Sequence, residues 1–229
     1  MLTIFGSLAF FPFLIYALFA FGLINAKARF DPNLEMPVAL VDVGDATGTA
    51  FLVGETRLLT ANHVVEGLEI GDEVSLQFQH SSPQISTTAK LIWKAGKPDD
   101  ETKALPQDVA VLELNQPTDL PEDFPRLALG ESATAFNRDK VILIGYPAGL
   151  PTITSGTISQ EAFQEQPIFQ LDVGAWQGNS GGPLISEETE EVIGILVAGL
   201  TDEYQGINLA LKIDAAKSLI EKEGIYLDE

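Results

Sequence analysis

The chain has 229 residues, of which 45% are apolar and 20% are charged, a composition typical of a globular protein with one large core or two small ones. Its 33 acidic and 13 basic residues give a formal net charge of -20, and so acidic a chain, without a cluster of Lys or Arg, is not expected to bind nucleic acid. The absence of cysteine excludes disulfides and Cys-ligated zinc, and because His63 and His80 are its only histidines, we expect no metal site and no cofactor.

Residues 1–28 are predicted to form a hydrophobic helix that serves as a membrane anchor or a signal segment. No charged residue occurs at 2–24, and about 20 apolar residues are needed to cross a membrane, whereas the apolar part of a secretory signal has about 7–15. Length therefore favours a single-pass anchor. Cleavage after Ala28 is the alternative, since Ala26 and Ala28 fit a small-x-small site, and it would leave a periplasmic or secreted chain. Lys27 and Arg29 alone do not decide the side of the membrane.

The rest of the chain is predicted to be all-β. After a linker at 29–37, apolar or alternating runs of strand length are separated by Gly, Pro, Asn and Asp, and a Pro-rich stretch at 115–125 divides them into two sets of six. This pattern predicts two six-stranded antiparallel β-barrels, at 38–126 and 127–229. The predicted runs are 38–43, 49–53, 57–60, 73–79, 85–93, 109–114, 140–145, 152–160, 168–173, 183–186, 192–197 and 206–212.

One helix is predicted at the end of the second half. Asp214 can cap residues 215–223, and Gly224 can end them. Ala216, Leu219 and Ile220 would share the buried face of this helix.

Ser180 is the candidate nucleophile, and it lies in the stretch GAWQGNSGGP at 174–183. The letters fit the G-x-S-x-G motif of α/β-hydrolases, but that fold needs its histidine after the serine, and no histidine follows Ser180. The order Asp, His, Ser of subtilisin could use Asp42 or Asp45 before His63, yet it needs alternating strands and helices. The order His, Asp, Ser on paired β-barrels remains.

His63 is the candidate base because it directly follows an apolar strand, whereas His80 is expected to be an exposed loop histidine. Asp108, which opens another apolar strand, is the candidate acid that would orient His63. Asp99 and Asp100 compete with it, but they lie in a polar stretch typical of a solvated loop.

Glycines around Ser180 are suited to an oxyanion hole, which needs two backbone N–H groups directed into one small volume. We expect Gly178 and Ser180 to supply these two donors.

The sequence resembles the trypsin-like (chymotrypsin-fold) serine peptidases, most of all their HtrA/Deg-type branch. The resemblance implies the two-barrel fold and hydrolysis of polypeptide substrates through an acyl-enzyme. It also implies that His63 is the general base, Asp108 the orienting acid and Ser180 the nucleophile, with Gly178 and Ser180 as oxyanion donors. Unlike Deg-type proteins with a C-terminal PDZ domain, this chain ends about five residues after its predicted helix, so we expect no peptide-reading module. The matching pieces are TGTAFLV (47–53), LLTANHVV (58–65), DVAVLEL (108–114), IGYPAG (144–149), TSGTISQ (154–160), GNSGGPL (178–184), VIGILVAG (192–199) and GINLALKI (206–213).

The family's primary specificity pocket has its floor a few residues before the serine, where this chain has the uncharged Gly174. We expect Leu196, Val197 and Ala198 to line a wall of this pocket and the enzyme to prefer an aliphatic or small P1 residue. Two other functions stay open on the sequence: a catalytically silent binding or scaffold protein on the same fold, and an esterase-like hydrolase with the same triad.

Overall fold

The computed structural model describes residues 31–44, 46–96, 104–199 and 206–227, and within them it contains two closed antiparallel β-barrels of six strands each. This confirms the predicted all-β class. The predicted N-terminal hydrophobic helix lies outside the described residues, as do Asp45, Asp99 and Asp100. Among the residues that are described, no helix has the length and apolar character to span a membrane.

The N-terminal barrel has the hydrogen-bonded strand order β1-β2-β3-β6-β5-β4. Its strands are β1 (Val38–Asp42), β2 (Thr47–Leu52), β3 (Arg57–Thr60), β4 (Glu73–Phe78), β5 (Ile85–Lys94) and β6 (Ala110–Leu114).

The C-terminal barrel has the order β10-β11-β12-β9-β8-β7. Its strands are β7 (Lys140–Gly145), β8 (Thr152–Gln160), β9 (Ile168–Leu171), β10 (Pro183–Ser186), β11 (Val192–Gly199) and β12 (Asn208–Lys212). All twelve predicted runs are found as strands, and their ends differ from the prediction by at most two residues.

Strands β1 and β2 of the N-terminal barrel are buried on both faces, with one exposed residue each at Asp42 and Thr47. Ala39 and Leu52 point into that barrel's own core. Val38 and Phe51, one residue away in each strand, join a second core that also contains Ile144 of the C-terminal barrel. Because alternate side chains of a strand point to opposite faces, this shared core packs the two barrels together and fixes the loops at their junction.

A short helix, α1 (Pro32–Glu35), precedes the first barrel, and the longer α2 (Ile213–Lys222) follows the last strand without a break. The predicted cap of α2 is wrong, because Asp214 lies inside its first turn, and Lys212 is the N-cap. The Asp214 carboxylate instead accepts hydrogen bonds from Ser132 Oγ (2.8 Å) and the Ala133 N–H (3.0 Å). The helix packs Ala216 and Ile220 into the shared core, while Leu219 is only partly buried.

Candidate active site

His63 and Asp108 are brought together by the pairing of β3 with β6. These strands are antiparallel, with Thr60 opposite Ala110, so the residues just after β3 and just before β6 meet at the same end. His63 Nδ1 lies 2.6 Å from Asp108 Oδ2, and the backbone N–H of His63 donates to Asp108 Oδ1 at 2.9 Å. This double contact fixes both the position and the ring orientation of His63, and it leaves Nε2 as the ring nitrogen that faces away from Asp108.

The electrostatic surroundings of His63 favour its protonated form. Burial lowers the pKa of the imidazole, but the hydrogen bond and charge of Asp108, with a further contribution from the charge of Glu66, outweigh burial and raise the pKa above its ordinary value of 6.5. The side chain of Asp108 is 12% exposed, whereas that of His63 is 41% exposed. A largely buried carboxylate therefore supports a histidine that solvent and a ligand can reach.

Ser180 lies in a tight loop that leads into β10. Asn179 donates its N–H to Trp176 O at 3.0 Å, and Gly182 donates to Asn179 O at 2.9 Å. Gly178 and Gly181 have φ values of 103° and 83°, in the region that side chains other than glycine rarely adopt. A Cβ on Gly178 would lie 2.4 Å from Tyr146 O, so only glycine fits there.

The Ser180 loop is docked against the N-terminal barrel. The Thr49 N–H donates to Ser180 O at 2.8 Å. A Cβ on Gly181 would lie 2.4 Å from Thr60 Oγ1 and 2.8 Å from the nitrogen of Ala61, two residues before His63. The close approach that Gly181 permits therefore sets the serine beside the end of the strand that carries the histidine. Within the described residues the Ser180 hydroxyl makes no hydrogen bond to His63; such contacts are often long in unliganded hydrolases and shorten when substrate binds.

Two carbonyl groups of this loop accept hydrogen bonds from residues outside the loop. Gln177 O accepts from the Ala148 N–H at 3.2 Å, and Gly178 O accepts from Thr49 Oγ1 at 2.7 Å. The N–H and C=O of a trans peptide point in opposite directions, so the Gly178 N–H points away from Ala148. Within the described part of the chain, the N–H groups of Gly178 and Ser180 donate no hydrogen bond. Both residues expected to act as oxyanion donors therefore have N–H groups that are available to a ligand.

A cavity of about 600 Å³ opens next to Ser180, and its lining agrees only in part with the predicted pocket. Gly174 and Leu196 line it. Val197 and Ala198 do not: Val197 is buried in the core between the barrels, and Ala198 packs against that core. A bulge between Leu196 and Ala198 shifts the pairing of β11 with β12, and alternation along a strand directs the neighbour of an inward residue to the other face.

Trp176, Asn208 and Asp172 are among the cavity residues that the sequence prediction did not name. Trp176 is 63% exposed, and its ring lies 3.2 Å from the position of a Cβ on Gly174. Asn208 is buried and donates to Val173 O at 2.5 Å, while Asp172 accepts from both the N–H and the hydroxyl of Thr157. A tryptophan four residues before the candidate nucleophile was a usable signal; the positions of Asn208 and Asp172 depend on strand pairing.

His80 was expected to be exposed, and this prediction is wrong. Its side chain is 12% exposed, and Nδ1 lies 3.1 Å from Glu35 Oε2, which is 8% exposed. The ring is also 6.0 Å from that of Tyr146. Burial lowers the pKa of His80, against the charge of Glu35, which raises it. A loop position in the sequence did not indicate that helix α1 would cover it.

Within residues 31–44, 46–96, 104–199 and 206–227, no group of three or more His, Asp or Glu side chains is arranged to hold a metal ion.

Comparison with known proteins agrees with this geometry. A DegP-like periplasmic serine endoprotease of Hahella chejuensis is 32% identical over 186 residues, which are 77% of this chain and 35% of that protein. Among solved structures, the HtrA-type protease AlgW with a tripeptide has a TM-score of 0.67 and 26% identity, with 83% of this chain and 60% of that chain aligned. The inactive form of a mutant of Rv3671c from Mycobacterium tuberculosis H37Rv has a TM-score of 0.65 at 22% identity, over 89% of this chain and 93% of that one.

The chain thus spans about a third of the length of the DegP-like relative. The family model of the trypsin-like peptidase domain matches residues 48–195, which is more than half of the chain and includes His63, Asp108 and Ser180. On this match the chain belongs to the trypsin-like peptidase domain family.

Proposed function

We propose that this chain is a serine endopeptidase of the HtrA/DegP type. The observation that carries the proposal is the geometry at the junction of the barrels, where a His63–Asp108 pair with a 2.6 Å contact lies at the end of the strand against which the Ser180 loop is docked. A serine hydroxyl needs a neighbouring base to become a nucleophile, and histidine is suited to that task.

In the proposed reaction, Ser180 Oγ attacks the carbonyl carbon of the scissile peptide bond while His63 Nε2 takes its proton. The new negative charge on the carbonyl oxygen is stabilised by the N–H groups of Gly178 and Ser180. His63 then donates the proton to the leaving amine, the C–N bond breaks, and an acyl-enzyme on Ser180 remains. Water, deprotonated by His63, hydrolyses this ester and restores the serine. Asp108, which contacts His63 Nδ1 through Oδ2, orients the imidazole and stabilises the imidazolium.

The cavity beside Ser180 is proposed as the pocket for the P1 side chain, and its lining favours an aliphatic or small residue. Val173, Ala175 and Leu196 are apolar wall residues. Asp172 also lines the cavity, and its two carboxylate oxygens accept hydrogen bonds from the N–H and the hydroxyl of Thr157.

A series of peptidyl p-nitroanilides that differ only at P1 tests this proposal, together with casein to detect cleavage at internal bonds. We expect kcat/KM for P1 Val or Ala to exceed that for Arg by at least about tenfold, because the apolar wall of Val173, Ala175 and Leu196 favours an apolar side chain and would partly desolvate a cation. A preference for Arg would contradict the pocket assignment. Hydrolysis of simple esters without cleavage of any peptide would instead favour the esterase alternative.

The pH dependence of hydrolysis follows from the raised pKa of His63. The base must be neutral to accept the proton of Ser180, so activity is lost as the pH falls through the pKa of the folded enzyme, which lies above 6.5. We expect kcat/KM to rise with pH with a slope of one and a midpoint above pH 6.5. Glu66→Gln should move this midpoint down, because the charge of Glu66 contributes to the raised pKa. A midpoint below 6.5 in the unaltered enzyme would contradict the assignment of His63 as the base.

We also propose that the domain acts in the periplasm or outside the cell, with residues 2–24 as an anchor or a cleaved segment and with barrel boundaries at 38–126 and 127–229. The DegP-like relative is described as periplasmic, and this supports a location of the domain on the periplasmic side of the membrane. Digestion by protease added to spheroplasts tests the location, and full protection of the chain in intact spheroplasts would contradict it.

A further inference from the structure

Thr49 belongs to β2 of the N-terminal barrel, yet its hydroxyl and its N–H donate to the serine loop of the other barrel. The residue is fully buried. Its hydroxyl donates to Gly178 O at 2.7 Å and accepts the N–H of Tyr146 at 3.1 Å. Its own N–H donates to Ser180 O at 2.8 Å. Thr49 therefore donates hydrogen bonds to the carbonyl oxygens of both Gly178 and Ser180.

Each of the four consecutive peptide units from Gln177 to Gly181 has its carbonyl held by a donor. Gln177 O is held by the Ala148 N–H, and Asn179 O by the Gly182 N–H. The Gly178 carbonyl, which lies between them, is held by the Thr49 hydroxyl alone among the described residues. Because a peptide unit is planar, a fixed carbonyl fixes the whole unit and therefore the direction of its N–H.

The peptide unit between Gly178 and Asn179 is the one that most needs such a restraint. Gly178 has a φ of 103°, and a glycine can rotate about its backbone bonds with little steric hindrance. Rotation of this unit would change the angle between its two neighbours, which carry the N–H groups of Gly178 and Ser180. The two candidate oxyanion donors would then no longer point to one position.

We propose that Thr49 is a positioning residue for the oxyanion hole: its hydroxyl prevents rotation of the 178–179 peptide unit and keeps the N–H groups of Gly178 and Ser180 convergent. This inference rests on the proposed function, since it assigns a task in the same reaction. Glycine at positions 145 and 181 leaves room for this arrangement, because a Cβ on Gly145 would lie 3.0 Å from Thr49 Oγ1 and one on Gly181 would lie 2.2 Å from Thr49 O.

Thr49→Val tests the proposal, because valine keeps the shape of threonine and removes only the hydroxyl. We expect kcat for a peptide substrate to fall about 100-fold, the size of effect seen when one oxyanion donor is lost, with KM changed by less than about twofold. Thr49→Ser restores the hydroxyl and should recover kcat to within about fivefold of the unaltered enzyme. Binding of a peptide boronic acid, whose tetrahedral adduct occupies the oxyanion hole, should weaken in Thr49→Val by the same factor as kcat.

Thr87→Val is the matched control, since Thr87 is a buried threonine of the same barrel whose hydroxyl donates to Asp119. It should leave kcat and boronate binding unchanged. If Thr49→Val does not fold, the comparison of Thr49→Ala with Thr49→Ser gives the same contrast. Suppose that the unaltered enzyme shows Ser180-dependent hydrolysis and that Thr49→Val has the same kcat. This result would overturn the role of Thr49 and leave the proposed function intact. Absence of Ser180-dependent hydrolysis in the unaltered enzyme would overturn both.

Discussion

Replacing Ser180 by alanine is expected to lower kcat for peptide hydrolysis by about 10⁶-fold, the loss seen when the nucleophile of a triad is removed. Without Oγ no acyl-enzyme can form, and only the binding of substrate and the oxyanion donors remain. The loop should keep its shape, because its hydrogen bonds to Thr49 and Ala148 use the backbone of Gln177, Gly178 and Ser180. Progress curves at high enzyme concentration measure the residual rate, and circular dichroism and thermal melting check the fold.

Ser155→Ala is the control for this loss. Ser155 is an exposed serine on β8 of the same barrel, and its replacement should leave kcat within about twofold of the unaltered enzyme, as is usual for surface positions. Hydrolysis by Ser180→Ala within tenfold of the unaltered rate would show that another group carries the reaction.

Asp108→Asn should have the second largest effect, a fall in kcat of about 10⁴-fold with little change in structure. Asp108 contacts His63 through both oxygens, Oδ2 at Nδ1 and Oδ1 at the backbone N–H. Asparagine can keep an oxygen on the backbone N–H, but its NH₂ group then faces Nδ1. That arrangement favours the tautomer with the proton on Nε2, which cannot accept the proton of Ser180.

Asp119→Asn serves as the comparison, because Asp119 is another aspartate of the N-terminal half that accepts a hydrogen bond from Thr87. We expect its kcat to stay within about threefold of the unaltered value, since no reacting group contacts it. A loss in Asp108→Asn no larger than in Asp119→Asn would refute the assignment of Asp108 as the orienting acid.

The barrels could be predicted because local signals mark both ends of most strands. Gly, Pro, Asn and Asp interrupt the chain between short apolar runs, and such breaks do not depend on what the strands pack against. The start of the C-terminal helix was harder to predict. Asp214 resembled a helix cap by its position, but β12 runs directly into α2, and the carboxylate turned to Ser132 in a loop 82 residues away.

Candidate residues of the site differ in how much of their setting the sequence could reveal. Because no histidine follows Ser180, the order His, Asp, Ser was the one that fitted a β fold. This conclusion required no knowledge of packing. The burial of His80 by Glu35, by contrast, depends on how α1 lies against a loop 45 residues away. The sequence predicted Val197 in the pocket, whereas the structure places it in the core between the barrels. The bulge in β11 next to Val197 cannot be predicted from a run of apolar residues.

Thr49 shows the same limit most clearly. As one threonine in an ordinary strand it carries no motif of its own, and its relation to Gly178 spans 129 residues between two barrels. Only the folded chain shows that the hydroxyl and the N–H of Thr49 both donate hydrogen bonds to the loop that holds Ser180.

Covalent labelling with a fluorophosphonate, followed by peptide mapping, tests most directly whether Ser180 is a nucleophile activated by His63. We expect one label per chain, on Ser180, with none in Ser180→Ala and a labelling rate reduced by several orders of magnitude in His63→Ala. Failure of the unaltered protein to be labelled, with and without peptide substrate, or labelling of Ser180→Ala at the unaltered rate, would contradict it and favour a silent binding protein on the same fold.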